Sequence, residues 1–181
     1  MSHKEQIDFF LSLKEKFPEM FKDVSVLEVG SLDINGSIRD LFDTYNYVGV
    51  DLEEGPSVDL VVEGQNLSYD DNYFDVAVSA ECFEHNPYWL ETFLNMYRMS
   101  NKYVAFTCAS EGRQEHGTTR TTPKDSPFTL KWDYYRNLNQ SDFTDHLNFE
   151  EMFSEYEFRY NNKDKNLYQI LLKLVRKNPL N

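Results

Sequence analysis

The feature that most limits the fold of this chain is a series of short apolar runs separated by stretches with helical periodicity. The run at 24–29 is rich in β-branched residues and ends at Gly30, which is typical of a strand buried in a parallel sheet. Similar runs occupy 45–50, 58–62, 73–79 and 102–107. Apolar residues recur at helical intervals over 1–22 and 89–99, and a helix is predicted to begin within 37–42. The alternation predicts a mainly parallel sheet with helices packed on it.

The last third of the chain has a different pattern. The stretch 109–131 is rich in Gly, Thr, Ser, Pro and charged residues, and it predicts a loop of unusual length that is either functional or mobile. Helical pieces are predicted at 132–137 and 141–153. Strands predicted at 156–160 and 167–175 flank a turn signal at 161–164, which indicates a hairpin that adds an antiparallel strand. Residues 1–181 are expected to form one domain, with 1–22 as its N-terminal helix.

Composition and charge exclude several classes of protein. The formal net charge is −13, so binding to the phosphate backbone of a nucleic acid is not expected. No apolar run approaches the roughly 20 residues that span a bilayer, and the first residues lack the order of a secretory signal. A cytoplasmic location is therefore expected. Cys82 and Cys108 have neither metal-site nor redox spacing and are expected to be free thiols. Oligomeric state is not encoded in any pattern of the sequence.

The ends of the first two predicted strands indicate a ligand site, because ligands of open α/β sheets bind beyond the carboxyl ends of the strands. Gly30 and Gly36 bracket a loop whose backbone can turn sharply, and Asp51 is placed to accept hydrogen bonds from a ribose diol. Dinucleotide sites use Gly-x-Gly-x-x-Gly to approach a pyrophosphate. This loop has only two glycines, and Asp33 would repel a pyrophosphate but tolerate an ammonium group. The pattern favours a sulfonium nucleoside over a dinucleotide.

Several segments resemble the class I S-adenosylmethionine-dependent methyltransferases, and in particular the group called methyltransferase type 11-like. The resemblance implies an α/β, Rossmann-like, doubly wound, mostly parallel seven-stranded sheet with an antiparallel C-terminal hairpin strand. It also implies S-adenosylmethionine as cofactor. By the same resemblance, the loop and helices of 109–150 are expected to lie on the side of the site where the acceptor binds. The matching segments span roughly 24–107 and are 26–31 (Val-Leu-Glu-Val-Gly-Ser), Asp33, 35–37 (Asn-Gly-Ser), 47–51 (Tyr-Val-Gly-Val-Asp), 74–79 (Phe-Asp-Val-Ala-Val-Ser) and Glu84-His85.

The resemblance assigns roles to the matching strand ends. Glu28 and the loop 30–36 correspond to the motif that cradles the methionine end, and Asp51 corresponds to the ribose-binding acid. Glu63 and Gly64 correspond to the position where an acid and a backbone N–H bind the adenine amine and ring nitrogen. A solvated turn residue is an equal alternative for Glu63. Residues 79–81 should pass beneath the sulfonium. The cofactor-binding residues implied in this way are Glu28, Gly30, Ser31, Asp33, Asn35, Gly36, Asp51, Leu52, Glu63, Gly64, Ser79, Ala80 and Glu81.

Two histidines are candidate catalytic residues, because an imidazole can serve as general base for an acceptor hydroxyl. His85 follows the fourth strand, where a packing role is an equal alternative. His116 lies in the long loop, where a solvated histidine is the more common case. Glu84 and His85 resemble part of a metal site, but no further ligand stands at the right spacing, so no metal is predicted.

The long loop also carries a local excess of basic residues, namely Arg113, Arg120 and Lys124. One interpretation is that they hold an anionic part of the acceptor; the alternative is a solvated loop of mixed charge.

The predicted function is methyl transfer from S-adenosylmethionine to a small-molecule or saccharide acceptor, at an oxygen atom. Two alternatives remain: a non-catalytic S-adenosylmethionine-binding or scaffold protein of the same fold, and a nicotinamide-dependent oxidoreductase.

Overall fold

The computed structural model describes residues 4–161 and the backbone of 169–176. Its centre is a sheet in which the strands follow the order β3-β2-β1-β4-β5-β7-β6. The strands are β1 (Lys22–Val29), β2 (Asp43–Asp51), β3 (Leu60–Val61), β4 (Phe74–Ala80), β5 (Ser100–Ala109), β6 (Phe153–Tyr160) and β7 (Gln169–Arg176).

The strands β1 to β5 all run parallel, and only β7 runs against its neighbours β5 and β6. The carboxyl ends of the first, second and fourth strands therefore meet at one edge of the sheet. In the register of the sheet, Glu28 lies beside Gly49 on one side and Val78 on the other. The predicted turn at 161–164 lies outside the described residues except for Asn161.

The two faces of the sheet are covered by different helices. One face packs Val26, Val76 and Val78 against α1 (Lys4–Lys16), and the other packs Leu27 and Ala77 against α2 (Trp89–Met99). The helix predicted over 1–22 ends at Lys16, because the residue before Pro18 is driven out of the helical conformation. A 3-10 turn at Pro18–Met20 then leads directly into β1.

The connection from β1 to β2 contains a single 3-10 turn at Arg39–Leu41, so the helix predicted within 37–42 is wrong. Only six residues separate Gly36 from β2, which leaves no room for a longer helix. Ile38 and Phe42 instead bury their side chains against the α1 face, where the ring of Phe42 stacks on that of Phe21 at 4.6 Å.

The stretch after β5 forms a long loop that is closed at its base by a backbone hydrogen bond from Leu138 N–H to the Ala109 carbonyl (2.9 Å). The helical piece predicted at 132–137 is also wrong. Arg136 N–H donates to the Glu84 carbonyl at 2.9 Å, and Asp133 has a positive φ of 45°. Trp132 and Asp133 N–H close a single turn on the Thr129 carbonyl, and the bond from Arg136 to the distant Glu84 carbonyl follows in place of a continued helix.

The helix predicted over 141–153 is divided into α3 (Gln140–Thr144) and α4 (Phe149–Met152), and β6 begins at Phe153. Asn148 interrupts the helical run because its side chain caps the second helix, accepting a hydrogen bond from Glu151 N–H. None of the helices in the described part of the chain is long and apolar enough to span a lipid bilayer.

Candidate functional site

A small cavity lies at the carboxyl edge of the sheet, where the ends of β1, β2 and β4 meet. Its volume is about 40 Å³. It is lined by three strand-end residues, Gly30, Asp51 and Glu81, together with His85. The structure thus brings together four of the residues that the sequence predicts for a site, each from a different strand end or turn.

The loop after β1 takes its shape from its own hydrogen bonds. Gly30 has a φ of +81°, and a side chain there would stand 2.6 Å from the Cβ of Cys82, so glycine is required. The carboxylate of Asp33 accepts a hydrogen bond from Gly36 N–H at 2.8 Å, and Asp33 N–H donates to the Pro56 carbonyl. Asp33, Asn35 and Gly36 are absent from the cavity lining, and the contacts of Asp33 and Gly36 hold the loop in its conformation.

Ser31 is buried, and its hydroxyl has no hydrogen-bond partner among the described residues. Its backbone N–H, like that of Gly30, donates to the carbonyl of Val50. The hydroxyl lies beside Gly49, where an added side chain would stand 2.8 Å from its oxygen, and Ser31 is absent from the cavity lining.

Asp51 ends β2 with its carboxylate already bonded to the backbone. One oxygen accepts from Leu32 N–H at 3.0 Å and the other from Leu52 N–H at 2.8 Å. Burial raises the pKa of Asp51, and the two backbone donors partly offset that effect. Each oxygen keeps a second lone pair, so the carboxylate retains acceptor capacity toward the cavity.

Glu28 is buried within β1 and accepts a hydrogen bond from the hydroxyl of Tyr47 at 2.8 Å. Burial raises the pKa of Glu28 to about 7, and the Tyr47 hydrogen bond lowers it by a smaller amount. Its carboxyl is absent from the cavity lining and lies between β1 and β2, where it supports the strand end.

Glu63 and Gly64 lie away from the cavity, and their polar groups are used elsewhere. The Glu63 carboxylate accepts hydrogen bonds from Gln65 and Asn66 and forms an ion pair with Lys131 at 3.0 Å. Gly64 packs so closely that a side chain would stand 2.6 Å from Thr92 Cγ2 on α2. Both residues therefore make their contacts within the fold, outside the cavity lining.

Of the three predicted residues at the end of β4, two make contacts within the fold and one lines the cavity. The hydroxyl of Ser79 donates to the Val29 carbonyl at 2.8 Å, and the side chain of Ala80 packs on the α1 face. Glu81 has a positive φ of 53°, and its N–H donates to the Thr107 carbonyl at 3.0 Å. This turn directs Glu81, unlike Ser79 and Ala80, to the cavity.

The long loop, which the sequence analysis assigned to the acceptor side, covers the cavity. Residues 125–129 form one wall of the cavity, and an added side chain on Gly55 would stand 3.2 Å from Cζ of Phe128. Gly117 has a φ of +65° and packs against His85 and Ser126 so tightly that a side chain would stand 2.7 Å from both. The glycines and prolines of the loop were the only signal of this closed conformation.

The two candidate catalytic histidines are in contact. The ring of His116 lies 4.9 Å from that of His85, nearly perpendicular to it, and Tyr135 contacts both rings at 5.1 and 5.4 Å. Burial lowers the pKa of His85 well below its ordinary range, and the nearby His116 lowers it further. Burial also lowers the pKa of His116, so both imidazoles are neutral at pH 7.

Glu84 joins this pair. The ligand atoms of Glu84, His85 and His116 all lie within 4.8 Å of one another, a grouping that could hold a metal ion. Sequence reasoning missed it because the third residue comes from the distant loop. Glu84 is fully buried; burial raises its pKa well above the ordinary range, and the charge of Glu81 raises it further.

The basic residues of the loop are not equivalent. Arg120 is neutralised by Glu115 (2.7 Å) and Asp133 (2.8 Å), and so it serves the loop's own structure. No ion pair of Arg113 is seen among the described side chains, and its charge lowers the pKa of the nearby histidines, although less than burial does. Of the two arginines, only Arg113 is left as a candidate for binding an anionic group.

No protein-family model and no curated protein sequence matches the chain. Solved structures do match it. The N-terminal domain of EvdMO1, solved in the presence of S-adenosylhomocysteine and D-fucose, gives a TM-score of 0.64 at 16% identity, covering 98% of this chain and 85% of that one. Burkholderia thailandensis 1,6-didemethyltoxoflavin-N1-methyltransferase, with S-adenosylhomocysteine bound, gives a TM-score of 0.63 at 13% identity. The match covers 94% of this chain and 77% of that one.

Magnesium protoporphyrin IX methyltransferase from Synechocystis, also solved with S-adenosylhomocysteine, gives a TM-score of 0.60 at 10% identity, with coverage of 97% and 84%. At these identities the similarity shows the fold. The chain has the α/β Rossmann-like fold of the class I methyltransferases, with five parallel strands and an antiparallel C-terminal strand.

Proposed function

We propose that this chain is an S-adenosylmethionine-dependent methyltransferase. The observation that carries the proposal is that Gly30, Asp51 and Glu81, from three strand ends, line one cavity at the carboxyl edge of a methyltransferase fold. Ligands of open α/β sheets bind at that edge. A nicotinamide-dependent oxidoreductase has no comparable support, because the β1 loop lacks a helix N-terminus to receive a pyrophosphate.

The cofactor is assigned to the groups that reach the cavity. The remaining lone pairs of Asp51 accept the ribose hydroxyls. The hydroxyl of Ser31 is buried beside Gly49 outside the cavity lining, so Ser31 supports the strand end. Asp33, Asn35 and Gly36 act through the shape of the loop. Glu63 reaches the adenine only after its ion pair with Lys131 opens, because its oxygens are otherwise engaged.

Cofactor entry requires the long loop to move. Small-molecule sites have volumes of about 300–1,000 Å³, whereas the cavity beneath the loop measures about 40 Å³. Residues 125–129 are the part of the loop that must be displaced, because they form one wall of the cavity. The loop would then close on the bound cofactor and exclude water, as lids do in many enzymes.

The acceptor is a small molecule or a saccharide that is methylated at oxygen. A chain with a net charge of −13 repels a nucleic-acid backbone. A neutral imidazole beside the cavity favours a hydroxyl acceptor, because His85 can take its proton as the new bond to oxygen forms. The methyl group passes in line from the sulfonium sulfur to the acceptor oxygen, so rate enhancement depends largely on positioning.

The test is calorimetric titration with S-adenosylmethionine, S-adenosylhomocysteine and, as a control, NADH. Wild type should bind both sulfur compounds with micromolar affinity, and Asp51→Asn should lose at least about tenfold of that affinity, equal to about 1.4 kcal/mol. Asp43→Asn is the matched control, because Asp43 is exposed at the opposite end of the same strand.

Each other result has a defined meaning. If neither sulfur compound binds while the folded state is intact, the enzyme proposal is withdrawn. If both bind but no hydroxyl acceptor is methylated, the non-catalytic binding protein becomes the better description. Binding of NADH alone would favour the oxidoreductase.

A further inference from the structure

We propose that Glu84, His85 and His116 bind a divalent transition-metal cation in the inner wall of the cleft. Metal binding by this Glu84–His85–His116 cluster does not depend on the proposed cofactor.

The geometry of the cluster suits a cation. One carboxylate oxygen and two imidazole nitrogens can all lie within 4.8 Å of one another. Metal–ligand bonds of about 2.1 Å place neighbouring ligand atoms about 3–3.5 Å apart. Side-chain rotations of modest size would close that difference, because His116 belongs to a loop and is not held within a strand or helix.

The cluster also contains buried polar atoms that need a partner. Neither carboxylate oxygen of Glu84 makes a hydrogen bond of normal geometry to any described residue, and Nδ1 of His85 lacks one as well. Glu84 is fully buried and His85 is 2% exposed. Burying polar groups without partners is unfavourable, and a cation would satisfy both groups together.

The third ligand is already oriented by its surroundings. His116 Nδ1 lies 3.1 Å from the Gln114 carbonyl, which can only accept, so Nδ1 carries the proton and Nε2 has the free lone pair. The hydroxyl of Tyr135 donates to the same carbonyl at 3.2 Å. A ligating histidine commonly donates its other ring nitrogen to a carbonyl or carboxylate in this way.

The donor set selects the kind of cation. Two imidazoles with one carboxylate suit Zn²⁺, Mn²⁺, Fe²⁺ or Co²⁺, whereas Mg²⁺ and Ca²⁺ prefer oxygen ligands. Glu81 adds a negative charge nearby, since its charge acts on both Glu84 and His116. His85 also lines the cavity, so the cation would lie beside it.

If the proposed function holds, this cation would bind the acceptor oxygen and lower the pKa of the acceptor hydroxyl. The two histidines would then act as ligands, and the proton of the acceptor hydroxyl would pass to solvent instead of to His85. That consequence rests on the methyltransferase proposal, whereas cation binding itself does not.

The experiment is a titration of metal-stripped, tag-free full-length protein with Co²⁺, followed by visible absorption and calorimetry. We expect one equivalent to bind, with d–d bands of a four- or five-coordinate site, and Zn²⁺ to displace it. Glu84→Gln and His116→Gln should each weaken binding by at least about tenfold. His146→Gln is the matched control, because His146 is exposed and outside the cluster.

Three results would each overturn the assignment of a metal to this cluster. The first is weak or absent Co²⁺ binding by the folded wild type, and the second is equal binding by wild type and both variants. The third is a near-ultraviolet band from thiolate ligation, which would assign the metal to a cysteine instead. Because His116 is in a loop, its variant is expected to fold even if the Glu84 variant does not. Cofactor titrations on the same metal-free protein test the methyltransferase proposal separately.

Discussion

His116 meets His85 edge to face at 4.9 Å, although one side chain is carried by the long loop and the other by the turn after β4. Gly117, the next residue, makes this approach possible, because any side chain there would collide with the His85 ring. The loop and the sheet edge therefore share one buried group of titratable side chains.

Replacing Glu28 by Gln should change how stability depends on pH. Burial raises the pKa of Glu28 to about 7 in the folded state, compared with 4.5 for an unperturbed carboxyl. The folded chain thus holds a proton that the unfolded chain has released, and the free energy of unfolding falls as pH rises from about 4.5 to 7. The Gln variant keeps an acceptor for Tyr47 but has no proton to lose, so its free energy of unfolding should lack this fall. Relative to wild type, its free energy of unfolding should rise by about 2 kcal/mol between pH 5 and pH 8.

Urea unfolding at both pH values measures the effect of the Glu28 variant. Glu19→Gln serves as the control, because Glu19 also accepts a tyrosine hydroxyl, at 2.9 Å, but is exposed. Parallel pH profiles for wild type and Glu28→Gln would show that Glu28 titrates normally.

Replacing Asp75 by Asn should have the opposite pH signature. Burial would raise the pKa of Asp75, but Lys102, Ser25 and Tyr45 lower it to about 2. Their contacts to the carboxylate measure 2.8 to 3.0 Å. The resulting stability is present above the unfolded pKa near 4 and is lost as pH falls toward 2.

The Asp75 variant should therefore unfold more easily at pH 7, by about 2 kcal/mol, and show little further loss on acidification. Thermal unfolding between pH 2 and pH 7 tests this. Asp71→Asn removes an exposed surface ion pair and should change stability by less than about 1 kcal/mol. An equal loss in the two variants would contradict a special role for Asp75.

Replacing Phe128 by Ala should speed cofactor association. The ring of Phe128 lies over Gly55 and lines the cavity, so its removal weakens the closed conformation of the loop. We expect the association rate constant of S-adenosylhomocysteine, measured by stopped flow, to rise several-fold. Trp132→Ala is the control, since Trp132 packs on Tyr88 away from the cavity lining. An unchanged rate in Phe128→Ala would mean that the loop does not limit entry.

The central strands β1, β4 and β5 were predictable because most of their residues are buried on both faces, which makes their apolar runs continuous. The run at 73–79 corresponds to Phe74–Ala80, every residue of which is buried, and the helix at 89–99 has the predicted bounds. The run at 24–29 lies within Lys22–Val29; the first two strand residues are exposed and carry no apolar signal.

The helix predicted at 132–137 is wrong because a distant backbone group decides the conformation there. Arg136 N–H donates to the Glu84 carbonyl, and a sequence window does not contain that partner. For the site, the strand ends at Gly30 and Asp51 followed from topology, and Glu81 followed from the family resemblance. The ion pair between Glu63 and Lys131 could not be predicted, and neither could the approach of His116 to Glu84. Both contacts depend on how the long loop folds back onto the sheet edge.

The hydrogen bond from Leu138 N–H to the Ala109 carbonyl joins the two ends of the long loop, so the loop is an insertion that leaves the sheet continuous. Its two ends meet at the sheet edge, so its length can change without altering the distance that the sheet must span. Doubling the length of such a loop costs only about 0.6 kcal/mol of closure entropy. Descendants of this chain could therefore exchange the loop to accept new substrates while inheriting an unchanged sheet edge.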